Sequence, residues 1–253
     1  MTAIQGTLAS EERLRWLSDR LSNDGSVAIA ESAEVLAVSE MTIRRDLAEL
    51  EQRGTARRVR GGARASGPQT FAERHDVARR AKSRIASKLA ELVPGEGVIA
   101  FDASSTVMRL ANELTAARDL TILTNSPETF GALQGLPDVT PLLTGGQLDE
   151  RTGSLVGPLA RRTAEQLRVT TFFASAAALD PRSGALEATL EEADVKCSIA
   201  AGADEVVLAV DASKLDSRGV AVGLDWDRIN ILVTDLDPAD ERLLPYRDLA
   251  ELL

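Results

Sequence analysis

Residues 38–47 read Val38-Ser39-Glu40-Met41-Thr42-Ile43-Arg44-Arg45-Asp46-Leu47, and they decide the fold of the N-terminal part of the chain. Ser39 is a good helix N-cap, because its hydroxyl can accept one of the unpaired amides of the first helical turn. Gly54 is a good helix stop, since glycine readily adopts the left-handed conformation found just after a helix end. The stretch therefore predicts a helix over about residues 40–52.

The predicted helix has one apolar face. At about 100° per residue, Ile43, Leu47 and Leu50 fall on a single narrow face. The opposite face and its flanks carry Met41, Thr42, Arg44 and Arg45. Such a helix packs by one side and presents arginines on the other. The same pattern also fits an ordinary amphipathic surface helix.

The surrounding sequence favours a more specific structure. Two helical segments are predicted before this helix, at about 10–21 and 28–37, with residues 1–9 as a frayed terminus and Val27 on the apolar side of the second segment. An arginine-rich hairpin candidate follows at 56–62. Three helices and a wing make a winged helix-turn-helix, whose last helix enters the DNA major groove by its N-terminal residues. The residues expected to contact double-stranded operator DNA are Ser39, Met41, Thr42, Arg44, Arg45, Arg57, Arg58 and Arg60.

The formal charge of −10 is unevenly spread along the chain. Residues 1–65 hold ten arginines and ten acidic residues, so the remainder carries all of the −10. Within 44–64, seven arginines accompany three acidic residues, a local charge of +4. The electrostatic footprint of a duplex-binding protein is therefore local. This local positive charge also disfavours the alternative of a winged helix that binds only protein.

The N-terminal residues resemble the signature of the DeoR family of bacterial transcriptional regulators. The family pattern runs valine-serine-x-x-threonine-isoleucine-arginine-arginine-aspartate-leucine. It ends in arginine-valine-x-glycine-glycine-alanine, which here is Arg58-Val59-Arg60-Gly61-Gly62-Ala63. The resemblance implies a winged helix-turn-helix DNA-binding domain over residues 1–64, in a regulator that is most often a repressor.

A change of composition marks a second domain. Residues 65–69 read Ala-Ser-Gly-Pro-Gln, which is typical of a linker. A long helix is predicted next, over 70–93, with its charged side chains outward. Short aliphatic runs then alternate with helical stretches, which predicts a mainly parallel α/β sheet covered on both faces over residues 70–253. The predicted strands are 98–101, 120–123, 139–143, 169–175, 206–210 and 229–233.

Polar and small residues follow several of these strands, where ligands bind in open α/β sheets. Hydroxyls and amides at a helix N-terminus can hold a phosphate, although a serine that merely caps such a turn is more common. Lys214 and Lys196 would add positive charge, unless Lys214 pairs with Asp211 or Asp216, and Asp102 and Asn125 would face hydroxyl groups of the ligand. The predicted effector-binding residues are Asp102, Ser104, Ser105, Thr106, Asn125, Gly145, Gly146, Lys196 and Lys214.

These strand ends also resemble the sensor domain of the DeoR family, which is similar in fold to ribose-5-phosphate isomerase and the CoA-transferases. Thr124-Asn125-Ser126, Gly145-Gly146 and Asp211-x-Ser213-Lys214 match the family, and Glu192–Lys196 resembles its acid-alanine-x-x-lysine helix. The first loop departs, because Ser104 replaces a glycine and would be strained at positive φ. The resemblance implies a phosphorylated sugar or related effector that modulates operator affinity. We also expect a homo-oligomer, a dimer or a tetramer, because two half-sites give a specificity that one winged helix lacks.

The alternative is a sugar-phosphate isomerase-like enzyme fused to a helix-turn-helix. Asp102, Asp149 and Glu191 have the residue types that acid–base catalysis requires. The isomerase's catalytic acidic cluster is not recognisable here, so we predict no catalytic residue and no enzyme activity. Cys197 is expected to be a buried residue on a helix, because the single His75 is too distant in sequence to suggest an activated thiol.

The sequence predicts no cofactor, no metal site and no membrane association. The single cysteine has no partner for a disulfide or a metal site. No apolar run approaches the roughly 20 residues that span a bilayer, and the N-terminus has no secretory signal pattern. We therefore expect a cytoplasmic protein.

Overall fold

A computed structural model of the chain divides it into two compact units, residues 1–77 and 78–253. The structure describes residues 2–52, 55–65, 74, 78–114, 119–215 and 217–253, apart from the side chains of 2–9, 22 and 23. Several predicted features lie outside these residues, namely Gly54, His75, Asp216 and positions 66–69 of the linker.

The N-terminal unit consists of helices and a three-stranded antiparallel sheet. Its described helices are α1 (Thr2–Asp24), α2 (Ile29–Val35) and α3 (Glu40–Gln52). Its strands are β1 (Ser26–Ala28), β2 (Ala56–Val59) and β3 (Gly62–Ala65), in the order β1-β3-β2. The helices followed by the β2–β3 hairpin confirm the predicted winged helix-turn-helix.

Three details of this unit differ from the prediction. Helix α1 already includes residues 2–9, where no proline interrupts it, so the expected frayed terminus is wrong there. Val27 lies on β1, paired with Ala63, and not on α2. Ala65 pairs with Ala56 in the hairpin, so the predicted linker begins one residue too early.

Helix α3 is held by an apolar face and by one ion pair. Ile43 and Leu47 are fully buried and Leu50 is 3% exposed, as predicted. Asp46 is also buried, and it accepts hydrogen bonds from Arg13 of α1 at 2.8 and 3.2 Å. A bidentate arginine–carboxylate pair fixes orientation as well as distance. This pair therefore sets how α3 lies against α1.

The C-terminal unit alternates strands and helices. Its described strands are β4 (Gly97–Phe101), β5 (Leu120–Thr124), β6 (Val139–Leu143), β7 (Gln147–Asp149), β8 (Ser154–Val156), β9 (Val169–Ala174), β10 (Ala178–Asp180), β11 (Gly184–Glu187), β12 (Ala203–Ala209), β13 (Ala221–Leu224), β14 (Ile231–Val233) and β15 (Glu251–Leu252). Its described helices are α4 (Arg79–Ala90), α5 (Ser105–Glu113), α6 (Pro127–Leu133), α7 (Pro158–Gln166) and α8 (Leu190–Ala201).

Seven strands form one parallel sheet in the order β15-β14-β12-β9-β4-β5-β6. Alternate residues of each strand enter opposite cores. Ile99 and Phe101 pack with α4, α5 and α6, whereas Ala100 and Phe172 pack with α7 and α8. Both faces are covered, which confirms the predicted architecture. Pro141 lies within β6, an outer strand, opposite Ile122 of β5.

The remaining differences concern α4 and the smaller sheets. Ala78 adopts a left-handed φ of 52°, and α4 runs from Arg79 to Ala90, so it ends before the predicted residue 93. Residues 70–73 and 75–77 of the predicted helix lie outside the described residues. Lys82 of α4 is buried, contrary to the expectation that the charged residues of this helix face outward. The β7–β8 hairpin and the antiparallel β10-β11-β13 sheet were not predicted, because strands of three or four residues show little alternation.

Candidate functional site

The N-terminal end of α3 is a capped and exposed surface. Ser39 Oγ accepts the Thr42 backbone amide at 3.2 Å and lies 3.0 Å from the Thr42 hydroxyl. Met41 is 59% exposed. The cap stabilises the first turn while its side chains remain at the surface, as a helix that enters a DNA groove by its N-terminus requires.

The two predicted arginines of α3 have different surroundings. Arg44 Nη2 donates to Glu40 Oε2 at 2.7 Å, one turn earlier in the helix. Arg45 is exposed and has no hydrogen bond or ion pair within the part of the chain that the structure describes. A guanidinium in that position can turn to a base edge or a phosphate without breaking a protein contact. Arg45 is therefore the better placed of the two.

The β2–β3 hairpin presents a pair of arginines on its outer face. Arg57 pairs with Arg64 across the hairpin, and both side chains are exposed. Like charges directly opposite each other destabilise a hairpin, and a bound phosphate would relieve that repulsion. Arg64 is absent from the residues predicted above. The alternation of exposed positions along a strand is the sequence signal that points to it.

Arg58, on the other side of β2, bends back toward α3. Its Nε donates to Glu51 Oε2 at 2.6 Å and its backbone amide donates to Glu51 Oε1 at 3.0 Å. These two bonds lower the pKa of Glu51 below its usual range. Arg60 is exposed in the turn of the hairpin. The predicted wing arginines thus divide into exposed ones, Arg57 and Arg60, and one that is already paired.

The second candidate site lies at the point in the main parallel sheet where the order of the strands reverses. The chain runs from β4 to β5 and β6 on one side, and from β9 to β12 and β14 on the other. Ligands of open α/β sheets bind beyond the carboxyl ends of the strands at such a switch point. Asp102 follows β4, and its Oδ2 accepts the amide of Ser175, which follows β9, at 2.7 Å.

A buried triad of Asp102, Glu187 and Lys196 occupies this point. Lys196 Nζ lies 2.5 Å from Glu187 Oε1 and 3.1 Å from Asp102 Oδ2, and it also donates to the Ser175 carbonyl. Burial raises the pKa of Glu187 to about 7, although the Lys196 charge opposes that rise. Burial alone would lower the pKa of Lys196, but the carboxylates of Glu187 and Asp102 raise it overall.

These contacts engage two of the predicted effector residues. The Lys196 ammonium is shared between two carboxylates, so it is not a spare positive charge. Asp102 accepts the amides of Ser104 and Ser175 as well as the Lys196 ammonium. Lys196 was predicted to balance the charge of a phosphate, and Asp102 to accept sugar hydroxyls. In these roles their polar atoms would have to bind a ligand while keeping the contacts within the protein.

The loop after β4 forms the N-terminus of α5, and it is closely packed. Ser104 Oγ accepts the Val107 amide at 3.1 Å, and its φ of −94° shows that the serine at this position causes no backbone strain. Ser105 and Thr106 are buried beside it. Lys82 of α4, 4% exposed, donates from Nζ to Ser105 Oγ at 3.1 Å. Sequence reasoning missed Lys82, because lysine is seldom buried.

Asn125 follows β5, the neighbour of β4. The pairing of Phe101 with Thr124 places it beside Asp102 at the same sheet edge. Asn125 is 6% exposed, and its Nδ2 donates to the Leu155 carbonyl at 3.3 Å. Its Oδ1 is buried and accepts no hydrogen bond within the described part of the chain. A buried amide oxygen without a donor costs free energy that a ligand hydroxyl could recover.

The glycine pair after β6 has a clear structural role. Gly145 and Gly146 both have positive φ, 69° and 113°. A Cβ on Gly146 would lie 2.6 Å from the Val156 carbonyl oxygen. These glycines therefore let the chain turn and approach β8 closely. This role accounts for the pair whether or not it also contacts a ligand.

Asp211 and Lys214 follow β12. Asp211 Oδ1 accepts the Ser213 amide at 3.0 Å and also the Ser213 hydroxyl. Lys214 is half-buried and makes no ion pair or hydrogen bond through Nζ among the described residues. The alternative pairing of Lys214 with Asp211 is therefore absent, and Asp216 lies outside the described residues.

Asp149, Glu191 and Cys197, which were considered for catalysis, have different surroundings. The Asp149 carboxylate accepts the Arg151 amide at 2.9 Å, and Glu191 is exposed on α8. Cys197 lies on α8 as expected but is exposed rather than buried, and its thiol donates to the Gly223 carbonyl at 2.9 Å. Desolvation and nearby carboxylates raise the thiol pKa. A raised pKa disfavours a reactive thiolate.

The described residues contain no group of three or more histidine, cysteine or acidic side chains arranged to hold a metal ion. No helix among them is both long and apolar enough to cross a membrane.

Comparison with known proteins agrees with this two-part architecture. The family described as "DeoR-like helix-turn-helix domain" matches residues 13–69, and the family described as "DeoR C terminal sensor domain" matches residues 77–236. Among solved structures, the ribose 5-phosphate isomerase A of Methanocaldococcus jannaschii is similar at 18% identity, over 53% of each chain, with a TM-score of 0.38.

Relatives match over nearly the whole chain. The HTH-type transcriptional regulator GlpR of Haloferax volcanii is 32% identical over 88% of this chain and 89% of its own length. The lactose phosphotransferase system repressor of Streptococcus mutans is 28% identical over 96% of this chain and 99% of its own. The chain therefore belongs to the DeoR family: it is a DNA-binding transcriptional regulator with a helix-turn-helix domain and a sensor domain, and not an enzyme.

Proposed function

We propose that this regulator represses a carbohydrate-metabolism operon and that a phosphorylated sugar or related metabolite changes its affinity for operator DNA. The observation that carries the DNA-binding half is the N-terminus of α3, where a capped first turn carries the exposed side chains of Met41 and Arg45. One relative is named as a repressor of the lactose phosphotransferase system, which supports both repression and a sugar-related signal.

In the proposed complex, α3 enters the major groove and the hairpin follows the DNA backbone. Arg45 and Met41 meet base edges, while Ser39 and Thr42 lie near phosphates. Arg44 reaches DNA only by leaving Glu40, and Arg58 only by leaving Glu51. Arg57, Arg60 and Arg64 are exposed and can meet phosphates directly. The preference for one DNA sequence over another should therefore depend mainly on α3. The salt dependence of DNA affinity should depend mainly on the hairpin.

The effector site is proposed at the switch point of the main sheet, where the loops after β4, β5, β6 and β12 end. Ser104, Ser105 and Thr106 supply the N-terminus of α5, and Asn125 supplies a free acceptor. The remaining residues assigned to this site are Asp102, Gly145, Gly146, Lys196 and Lys214. An effector that prefers one conformation tenfold shifts the equilibrium by about 1.4 kcal/mol, which is enough for regulation.

The proposed setting is a homo-oligomer, a dimer or a tetramer, in the cytoplasm. A dimer places two winged helices on two half-sites, which gives a specificity that one small module lacks. The proposed domain limits are 1–64 for the DNA-binding domain, 65–69 for the linker and 70–253 for the sensor. Ala65 belongs to β3, so the linker within these limits effectively starts one residue later.

The test uses the full chain and DNA from upstream of its own and the neighbouring genes. Footprinting should locate a protected site with two similar half-sites. Anisotropy titrations on that site are then repeated with a panel of sugar phosphates and with their unphosphorylated parents. At least one phosphorylated compound should change operator affinity tenfold or more, while its parent does not. Failure to bind any of this DNA more tightly than random duplex would refute the proposal.

A further inference from the structure

Helix α4 carries a strongly basic outer face. The helix contains no acidic residue and five cationic ones, namely Arg79, Arg80, Lys82, Arg84 and Lys88. Arg80 and Arg84 are exposed, whereas Ile85 and Leu89 on the opposite side are fully buried. At about 100° per residue, Arg80 and Arg84 lie roughly 40° apart around the helix axis. We call these two exposed arginines the α4 basic face.

Within the described residues, no side chain is paired with this face. Arg80 and Arg84 make no hydrogen bond or ion pair in the part of the chain that the structure describes. Lys88 differs from them, because its ammonium donates to the carbonyls of Thr234 and Leu236 at 2.9 and 3.2 Å. The two guanidinium groups are therefore available to an anionic partner.

The arrangement of these charges is unfavourable for the helix by itself. Arg80 and Arg84 are four residues apart, and like charges at that spacing destabilise a helix. Arg79 and Arg80 also place positive charge in the first turn, where the helix dipole favours acidic residues and α4 has none. The helix thus lacks the glutamate–arginine pairs that commonly stabilise an exposed helical surface. A bound polyanion would relieve the repulsion between the guanidinium groups.

Double-stranded DNA is the polyanion that best fits this face. A duplex carries one negative charge about every 1.7 Å along its axis, and guanidinium groups bind phosphates with charge-assisted hydrogen bonds. Helix α4 is also near the DNA-binding domain in sequence, because the chain from residue 65 to residue 79 spans at most about 50 Å when fully extended. One helical turn of DNA is about 34–36 Å long. Phosphates beside a bound half-site lie within this limit.

The rest of the sensor unit is acidic, so the α4 basic face is a local exception. Residues 66–253 carry the whole formal charge of −10, although α4 alone contributes +5. The net charge of the unit repels DNA, whereas the α4 basic face attracts it. An approach with α4 toward the duplex is therefore favoured over an arbitrary one.

We propose that Arg80 and Arg84 contact phosphates of the DNA beside the base pairs that α3 reads, so that the sensor unit itself adds to DNA affinity. The contact requires DNA binding by the helix-turn-helix domain. It goes beyond the proposed function, because it does not depend on the sugar signal. Phosphate contacts carry no sequence information, so the gain in affinity is the same on operator and on random duplex.

The test is the salt dependence of DNA binding by the full-length protein, measured by anisotropy on operator and on random duplex. For the double variant Arg80→Ala/Arg84→Ala, the slope of log affinity against log salt should fall by about 2 units per bound copy, as expected for two lost phosphate contacts. The ratio of operator affinity to random-duplex affinity should stay unchanged. Alanine is the best helix former, so the variant should fold, and thermal unfolding verifies this.

Two control variants separate a phosphate contact from other effects. Arg80→Lys/Arg84→Lys keeps both charges and should keep the slope of the wild type. Arg162→Ala removes an exposed arginine that has no partner among the described residues, on helix α7. Helix α7 packs on the face of the main sheet opposite to α4, so this variant should also keep the wild-type slope.

The outcomes distinguish this contact from the proposed function. An unchanged slope for the double alanine variant, with operator binding intact, would show that α4 does not contact DNA. If light scattering shows instead that this variant loses self-association, the face binds an acidic surface of a second copy and the DNA assignment is wrong. If sugar phosphates leave operator affinity unchanged while the alanine variant loses slope, the proposed effector fails and the α4 contact stands.

Discussion

Arg45 is the residue of α3 on which recognition of DNA bases should depend most. Its guanidinium is exposed and unpaired among the described residues. Replacing Arg45 with Ala should weaken operator binding by about 1–3 kcal/mol if it contacts a base edge. Random duplex should lose less affinity. Anisotropy titrations on both duplexes measure the two losses, with the exposed Arg15 of α1 replaced by Ala as the control. Equal losses on the two duplexes would reduce Arg45 to a phosphate contact.

Lys196 should contribute strongly to the stability of the folded protein. Lys196→Met leaves Asp102 and Glu187 buried without their shared cation, which typically costs about 3–5 kcal/mol. Lys214→Met removes a half-buried lysine that has no partner among the described residues, and should cost less than about 1 kcal/mol. Urea unfolding of both variants measures the difference. A Lys196 variant as stable as the wild type would contradict the structural role of the triad.

Glu187 makes stability depend on pH in a defined direction. Its pKa is raised from 4.5 to about 7 in the folded protein, chiefly by burial. Between these values the native state binds more protons than the unfolded state, so the free energy of unfolding falls as pH rises. Glu187→Gln should remove this part of the decline. Urea unfolding at several pH values from about 5 to 8 tests this, and parallel curves for variant and wild type would be the contrary result.

The buried residues of the sensor domain differ in how well the sequence predicts them. The Ser104 cap and the Asn125 position could be predicted, because each depends on a few adjacent residues at a strand end. The triad could not, since Asp102, Glu187 and Lys196 come from separate segments that meet only in the folded sheet. Lys82 was missed for a related reason: helical periodicity marks a lysine as exposed, and only the packing of α4 on α5 shows otherwise.

Among the structural elements, the β2–β3 hairpin should determine how strongly operator affinity depends on salt concentration. Arg57→Ala and Arg64→Ala should each reduce the slope of log affinity against log salt by about one unit, as expected for loss of one phosphate contact. Arg58→Ala should reduce it less, because Glu51 already holds that guanidinium. Operator titrations at several salt concentrations supply the slopes. A larger effect from Arg58 than from Arg57 would show that the ion pair opens on DNA.

Elements with strong local signals were predicted well. Helix α3 has a cap, a continuous apolar face and a matching length, and six strands of the main sheet are long or apolar enough to be recognised. β1 and β15 were not recognised, because two or three residues carry no periodicity and such strands exist only by pairing with a neighbour. The start of α4 depends on the left-handed Ala78, a conformation that no residue type at that position signals.

For the whole molecule, we expect self-association. One winged helix buries little surface on DNA, so two copies are needed for the specificity of a bacterial operator. Multi-angle light scattering at micromolar concentration should give at least twice the chain mass of 27.0 kDa, with and without operator. A monomeric mass under both conditions would contradict the proposed arrangement on two half-sites.

The outer strand β6 restricts how such association can occur. The Thr144 amide donates inward to Thr124, so by the alternation of a strand Pro141 faces away from the sheet. Proline has no N–H, and an extended segment that approached this margin would find a donor missing from the row. Edge-to-edge pairing of β6 with a strand of another molecule is thereby discouraged. The protein can carry a long, apolar, parallel sheet with a lower risk of aggregation, and we expect the proposed self-association to use surfaces other than the β6 edge.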